Sequence, residues 1–357
     1  MDAQGSLWAI LLYDIAEQIQ LDQLRSILGV EPPVREPRFK HLAPDYVRFD
    51  RPPVEQCVEA PPLDSGDRLQ ARIKYFEYGV LAVELELPFE VPWQDLIERS
   101  SRWIGSPEIE KLAGSLANKQ AKIAHAALKQ PYVEWISEDY YIIHLRAAHL
   151  DAAALLAECG AGVAQLVRGE TRPLSAGERE ETLRASLSYY PSDLLVVGWM
   201  AALIYDTPEG AAPAIQLLEY ANAQLLEFRY YDELLTRVLT GVYKSLGRSG
   251  MLRRWRMARD AEHLNQIRLD ITDLTERIDN SIKFLSDMFY ARAYRMAAAR
   301  IGVNDYRKLV DEKLRTAGDL YEFMVDQFHQ ARAFLLEVMV VAILIIELAQ
   351  VFFWRHS

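Results

Sequence analysis

Cysteine is nearly absent: Cys57 and Cys159 are the only two in 357 residues. That excludes a disulfide framework and a four-thiolate metal site, and it fits a reducing compartment. Phosphate-binding glycine loops are missing too. Gly160-Ala-Gly162 lacks a third glycine and follows a helical pattern, so it reads as a turn, and there is no GxxxxGK[ST]. No GxSxG and no HExxH occurs, and His144 and His149 lie five apart across the end of a strand pattern, which is a poor ligand spacing. The opening MDAQGSLWAILLYD has no basic segment and no small-residue cleavage site, so no secretory signal is expected there. No catalytic residue, cofactor site or metal site is therefore expected.

What the chain does have is acid, distributed unevenly. Residues 1–247 carry 23 Lys+Arg against 36 Asp+Glu, a balance of −13, and residues 248–332 carry 16 against 13, or +3. Residues 333–357 add −1, which gives the net −11. The acidic first part argues against generic nucleic-acid binding there. The basic excess concentrates in Arg248, Arg253, Arg254, Arg256 and Arg259, a patch suited to an anionic surface or RNA.

Strand and helix patterns alternate irregularly in residues 1–247, which predicts an α+β head. Ser6–Tyr13 and Tyr140–Leu145 read as buried strands, and Leu69–Leu87 as two strands around a tight turn at Tyr78-Gly79. Leu194–Tyr205 reads as one or two strands. Helices are expected at Gln20–Leu28, closed by Gly29, and at Pro92–Ile104, Pro107–Leu128, Asp151–Arg168 and Ser175–Ser186. Ser175 with Glu178 makes a capping box, and a long helix is expected over Pro213–Tyr243. Tyr189-Tyr190 and Tyr230-Tyr231 read as packing residues, and Asp232-Glu233 as part of a solvated ion-pair face.

Residues 248–332 show two heptad patterns. One runs Leu264, Ile267, Ile271, Leu274, Ile278, Ser281, Leu285, Met288, and the other runs from Val310 through Leu314, Ala317, Tyr321 and Met324 to Leu335, Val338 and Ala342. Gly302 and Asn304-Asp305 separate them, which predicts a coiled-coil hairpin whose second helix runs from about Asp305 to Trp354. The first helix is expected to bend or break before about Leu269. Ala333–Trp354 has 22 residues, 14 of them Leu, Ile, Val or Phe, and no Lys or Arg. A helix of that length reaches about 33 Å, which predicts a transmembrane anchor over 333–354 with the bulk of the chain cytoplasmic. Glu337, Glu347 and Gln350 are its polar residues, and Glu347 and Gln350 at i, i+3 are candidates for bonding to another copy in a homo-oligomer.

The stretch Asp311–Phe353 resembles the end of the "required for meiotic nuclear division" (sporulation-protein) family, with Glu337, Met339 and Glu347 in matching places. Tyr75–Val83 resembles its Tyr-Gly-Val strand, and Leu11–Leu28 its opening. The resemblance implies a bacterial member with an α+β head, a coiled-coil stalk and a membrane anchor. It also implies a tether linked to translation, with no established catalytic residues. The expectation is a membrane-tethered, non-enzymatic scaffold presenting its head to a protein or ribonucleoprotein partner such as the ribosome. A membrane-bound enzyme and an RNA binder using Arg248–Arg259 are the alternatives.

Overall fold

The computed structural model describes residues 2–30, 48–49, 52–147, 151–246, 262, 264–269, 271–272, 282–283 and 288–354. The chain divides into two compact units. The first is Met1–Tyr230 with Glu276–Arg307, and the second is Tyr231–Thr275 with Lys308–Ser357.

The first unit is α+β, built on one eight-stranded sheet. Its strands are β1 (Asp2–Asp14), β4 (Val54–Val58), β5 (Gln70–Tyr75), β6 (Val80–Pro92), β8 (Ser137–Arg146), β9 (Ser186–Leu187), β10 (Leu194–Val197) and β11 (Ala201–Asp206). They lie in the order β4-β5-β6-β1-β8-β11-β10-β9. All neighbours are antiparallel except β8 and β11, which are parallel. β1 pairs with β6 from Asp2↔Pro92 to Asp14↔Val80 and with β8 on its other side. Leu7, Ala9 and Leu11 point to one face and Ile10 and Leu12 to the other, all buried. A strand covered on both faces reads as a continuous apolar run, as Ser6–Tyr13 does.

Short strands complete the unit: β2 (Ala16–Ile19) pairs with β7 (Leu128–Pro131), and β3 (Arg48–Phe49) with β12 (Ile282–Lys283). One face of the large sheet carries α1 (Leu21–Leu28), α2 (Trp93–Trp103), α3 (Pro107–Ala124), α4 (Ala152–Arg168) and α5 (Ala176–Arg184). Gly29 closes α1 in the left-handed conformation, and the Ser175 side chain accepts from the Glu178 N–H at the start of α5. The opposite face carries the first part of α6 (Pro208–Leu246) and α7 (Met288–Ile301). Thr207 caps α6, its hydroxyl accepting from the Gly210 N–H. This helix begins five residues before the expected Pro213.

The β5–β6 turn shows why a glycine is needed at position 79. Gly79 has φ +102°, and a Cβ there would stand 1.8 Å from the Ala16 carbonyl oxygen. Gly79→Ala should therefore destabilise the unit by about 1–3 kcal/mol from backbone strain alone, and more from the displaced β2. Urea unfolding of the two proteins measures this.

The second unit contains the later part of α6, helical residues 264–269, and α8 (Val303–Trp354) from Lys308 onward. Leu239 and Val242 of α6 form a core with Leu264 and with Ala317 and Met324 of α8. Lys313 of α8 bonds the Asp232 carboxylate and the Thr236 hydroxyl. Asp232 is thus tied to a specific cation rather than to a loose ion-pair face.

Several expectations change. Gly160 and Gly162 lie within α4 and form no turn. The helix expected to Leu128 ends at Ala124, and a single 3-10 turn leads into β7. The first heptad helix is not continuous, because Ile282 and Lys283 pair as a strand with Phe49 and Arg48. The expected bend before Leu269, and the patch Arg248, Arg253, Arg254, Arg256 and Arg259, lie outside the described residues.

The largest correction concerns the transmembrane anchor. Among the described residues, no helix is long and apolar enough to cross a membrane. α8 runs to Trp354, but the unbroken apolar stretch between Glu337 and Glu347 is nine residues, Val338–Ile346. At 1.5 Å per residue that is about 14 Å, against about 30 Å of hydrocarbon. The apolar count of the whole stretch concealed how the two acids divide it. The membrane-tethered fold class, and the single-pass membrane localisation that rested on it, are unsupported.

Candidate functional site

The site begins as a departure from the usual alternation of a strand. On β5 and β6, Ala71, Ile73, Tyr75, Val83 and Leu85 face the apolar side under α1–α5. The opposite face carries Arg72 and Lys74 on β5 and Glu84 on β6, with Arg72 directly opposite Glu84. Helix α6 packs over these charges instead of leaving them to water. Lys74 Nζ lies 2.7 Å from Glu84 Oε1 and 2.6 Å from Glu219 Oε2, and all three side chains are within 6% exposed. Arg72 reaches Glu84 at 3.5 Å from a half-exposed position.

The polar face of α6 continues past Glu219. Asn222, Gln224 and Glu227 are all buried. Asn222 Nδ2 donates to the Leu218 carbonyl at 2.8 Å, and Gln224 accepts from the Tyr294 hydroxyl of α7. Glu227 faces Asp14 at the end of β1. Beside them Tyr132 stacks on Tyr230 with centroids 5.0 Å apart, and Tyr78 meets Tyr220 edge-on. Arg229, one residue before Tyr230, pairs with Glu138 of β8. A strip of charged and hydroxyl groups thus runs beneath the helix, from β5 across β6 and β1 to β8.

Burial sets the protonation of this strip, because a charged group loses its hydration there. Burial pushes the Glu219 carboxyl up to about 8, the attraction of Lys74 offsetting only part of the rise. Burial also raises Asp14 well above the usual carboxylate range, and the neighbouring Glu227 adds to it. Lys74 is held well above its ordinary value: its two glutamates outweigh the desolvation, and it stays an ammonium. Burial raises Tyr78 and Tyr132, so both remain neutral phenols. Burial thus favours the protonated forms of Glu219 and Asp14.

The sign of the resulting pH dependence follows. An unfolded Glu219 ionises near 4.5, whereas the folded one keeps its proton to about 8. The stabilisation from this group is complete below pH 4.5 and is lost as pH rises to about 8, at up to ~1.4 kcal/mol per unit. Glu219→Gln should flatten that fall. Comparing the urea midpoints of parent and variant at pH 5 and pH 8 measures it.

Chemically, a carboxylic acid poised near 8 has the pKa of a general acid or base. Lys74, Glu84, Glu219, Asp14 and Glu227 are each no more than 5% exposed, however. Proton transfer to a substrate needs a heavy-atom approach of about 3 Å, and these groups are covered by α6. Among the described residues, no group of three His, Cys, Asp or Glu side chains is arranged to hold a metal ion. His144 is a core histidine: its Nε2 lies 3.2 Å from the Asp206 carbonyl, and burial lowers its pKa. His149 is outside the described residues.

Residues 4–212 match the family described as the N-terminal domain of the uncharacterized protein MJ0711. The chain belongs to this family. A relative, the uncharacterized protein MJ0711 of Methanocaldococcus jannaschii, is 20% identical over 208 residues. That match covers 58% of this chain and 64% of the relative's length. No solved structure matches. The family region contains Asp14, Lys74 and Glu84 but ends before Glu219 and Glu227.

Membership overturns the resemblance to the meiotic nuclear division family. That resemblance leaned on a heptad helix and an apolar run at Asp311–Phe353, a pattern common to many helical tails. The family match falls instead on the sheet and the helices around it.

The residues singled out from sequence do not come together at this cluster. Glu337 and Glu347 are exposed on α8, and Gln350 is in that helix with its side chain outside the described set. Tyr189 and Tyr190 are more than half exposed, though Tyr189 meets both Tyr190 and Phe289 edge-on. The cluster itself was missed. Its signal was a helix with Leu217, Leu218, Leu225 and Leu226 interleaved with Glu219, Asn222 and Glu227, facing a strand pair that carries Lys74 and Glu84.

Proposed function

We propose that the protein is a non-enzymatic scaffold. It assembles through the end of α8 with further copies of itself and presents its α+β unit to a protein or ribonucleoprotein partner. The observation that carries this is the surface of α8 from Phe334 to Ile346. Eleven large apolar side chains there, among them Phe334, Leu335, Val338, Val341, Ile345 and Ile346, are each between 41% and 63% exposed. Contiguous apolar surface of this extent marks an association site.

The heptad favours further copies of this chain as the occupant. Counting alternately four and three residues from Val310 gives Leu314, Ala317, Tyr321, Met324, Phe328, Ala331, Leu335, Val338, Ala342 and Ile345. Val310, Ala317 and Met324 are buried at 0–1% exposure, whereas Leu335, Val338 and Ile345 are exposed. The same seam that packs the second unit thus continues uncovered. In this register Glu337 and Glu347 occupy outward c and f positions, where carboxylates remain hydrated. Apolar residues also fill the flanking e and g positions at Met339, Val341 and Ile346, which a simple pair would leave wet. The seam therefore suits three or more parallel copies around an axis. The closed, buried acid cluster, offering no group to a substrate, supports a scaffold over an enzyme.

Sedimentation velocity of the full chain tests this. An assembly of three or more copies that Val338→Asp with Ile345→Asp reduces to single chains is the expected result. A single chain for the parent at every concentration would refute it.

A further inference from the structure

We infer that the first unit carries a docking ledge for single-stranded nucleic acid along α7, separate from the acid cluster and from the end of α8. In a chain of net charge −11, α7 (Met288–Ile301) has three arginines and no acid. Arg292 and Arg295, at i, i+3, are exposed, and neither has a carboxylate partner among the described residues. Arg300 is spent differently, on the Glu181 carboxylate and carbonyl at 2.9 and 3.2 Å.

Aromatic rings stand at both ends of this cationic helix. At its start, Phe289 packs edge-on against Tyr189 with centroids 5.1 Å apart, and Tyr189 packs edge-on against Tyr190 at 4.7 Å. At its end, Trp199 in the β10–β11 turn lies against Gly302. Tyr190 is 63% exposed and Trp199 59%. Two backbone amides, of Tyr189 and Tyr190, donate to the Asp193 carboxylate at 2.7 and 2.8 Å, which holds the tyrosine turn in shape.

The chemistry of the ligand follows from this combination. Exposed rings offer π faces to bases of any sequence, and unpaired guanidinium groups between them offer charge to phosphates. A 14-residue helix separates the two ring groups by about 21 Å, a span that a flexible strand covers with several nucleotides. A rigid duplex keeps its bases stacked inside and cannot use the rings. An acidic peptide would use the arginines but leave the ring faces unstacked. The inference rests on the scaffold reading for its meaning, since it names the partner class that the first unit would receive. It does not depend on self-assembly.

The test is fluorescence anisotropy of a labelled single-stranded decauridylate with the full chain, as salt is varied from low to physiological. Parent protein should bind the strand in preference to the same sequence annealed to its complement. Arg292→Glu with Arg295→Glu should weaken binding at least tenfold and reduce the salt slope by about 1.4, at about 0.7 for each phosphate no longer neutralised. Tyr190→Ala with Trp199→Ala should weaken it at least tenfold with the salt slope unchanged. Both variants alter exposed side chains, and unchanged circular-dichroism melts would confirm their folds. No binding by the parent at low salt would overturn the inference. So would binding that neither variant changes, or equal binding of an oligoglutamate peptide that depends on the arginines alone. Sedimentation of the same samples reads self-assembly independently, so failure here is distinguishable from failure of the scaffold reading.

Discussion

Lys74→Met should destabilise the first unit by about 3–5 kcal/mol, the usual cost of removing one partner from a buried ion pair. The substitution conserves the length of the side chain, so lost packing contributes little. What it removes is the ammonium seated between Glu84 and Glu219, at 2.7 and 2.6 Å. Among the described residues, the two carboxyl groups would keep only the half-exposed Arg72 as a cation in contact. Replacing the whole triad, with Lys74→Met, Glu84→Leu and Glu219→Leu together, should restore most of the loss, because no uncompensated charge is then buried. Urea unfolding of the full chain, followed by circular dichroism, compares the three proteins. A loss below about 1 kcal/mol for Lys74→Met, less than the usual cost of leaving a buried charge unpaired, would mean that water reaches the cluster.

The triad also explains how α6 finds its place. An apolar helix can slide on an apolar sheet at little cost, since dispersion and hydrophobic burial are non-directional. An ammonium seated between two carboxyl groups fixes both the rotation and the position of the helix. Polar groups buried at such a contact are retained for specificity more readily than for stability.

Much of this architecture is legible in the sequence, for local reasons. Ser6–Tyr13 is apolar at every period because β1 is covered on both faces, and Tyr78-Gly79 marks its turn because only glycine tolerates the backbone at position 79. Ser175 and Glu178 declare the start of α5. The acid cluster is not legible, because Glu219 and Glu227 on a helix look the same whether they meet water or a sheet. Only the non-local pairing with Lys74, 145 residues away, distinguishes the cases. The strand at Ile282–Lys283 was hidden for a similar reason: its partner is Arg48–Phe49, and its own neighbours keep a heptad spacing. The apolar end of α8 was visible as composition, but its meaning depended on where the two glutamates fall in the register.

That register makes the second large prediction. If the seam assembles, each of Val338 and Ile345 is buried on association and contributes about 1.5–3 kcal/mol. Aspartate at both positions should therefore remove about 3–6 kcal/mol per chain, or about two to four orders of magnitude in association constant. Desolvating the new carboxylates makes the effect larger. Glu337→Leu should have the opposite and smaller effect, because an outward c position gains little from burial. Sedimentation across a range of concentrations separates the three proteins.

The most direct measurement places a cysteine on the seam and another off it. In a chain with Cys57→Ser and Cys159→Ser, Ala342→Cys puts thiols of neighbouring copies at facing a positions, and Glu347→Cys puts them on the outside. A disulfide forms only where Cα atoms approach within about 7 Å. Mild oxidation should cross-link the Ala342→Cys protein rapidly into species larger than one chain and leave the Glu347→Cys protein uncross-linked. Equal cross-linking at both positions, or none at either, would contradict assembly through the α8 seam.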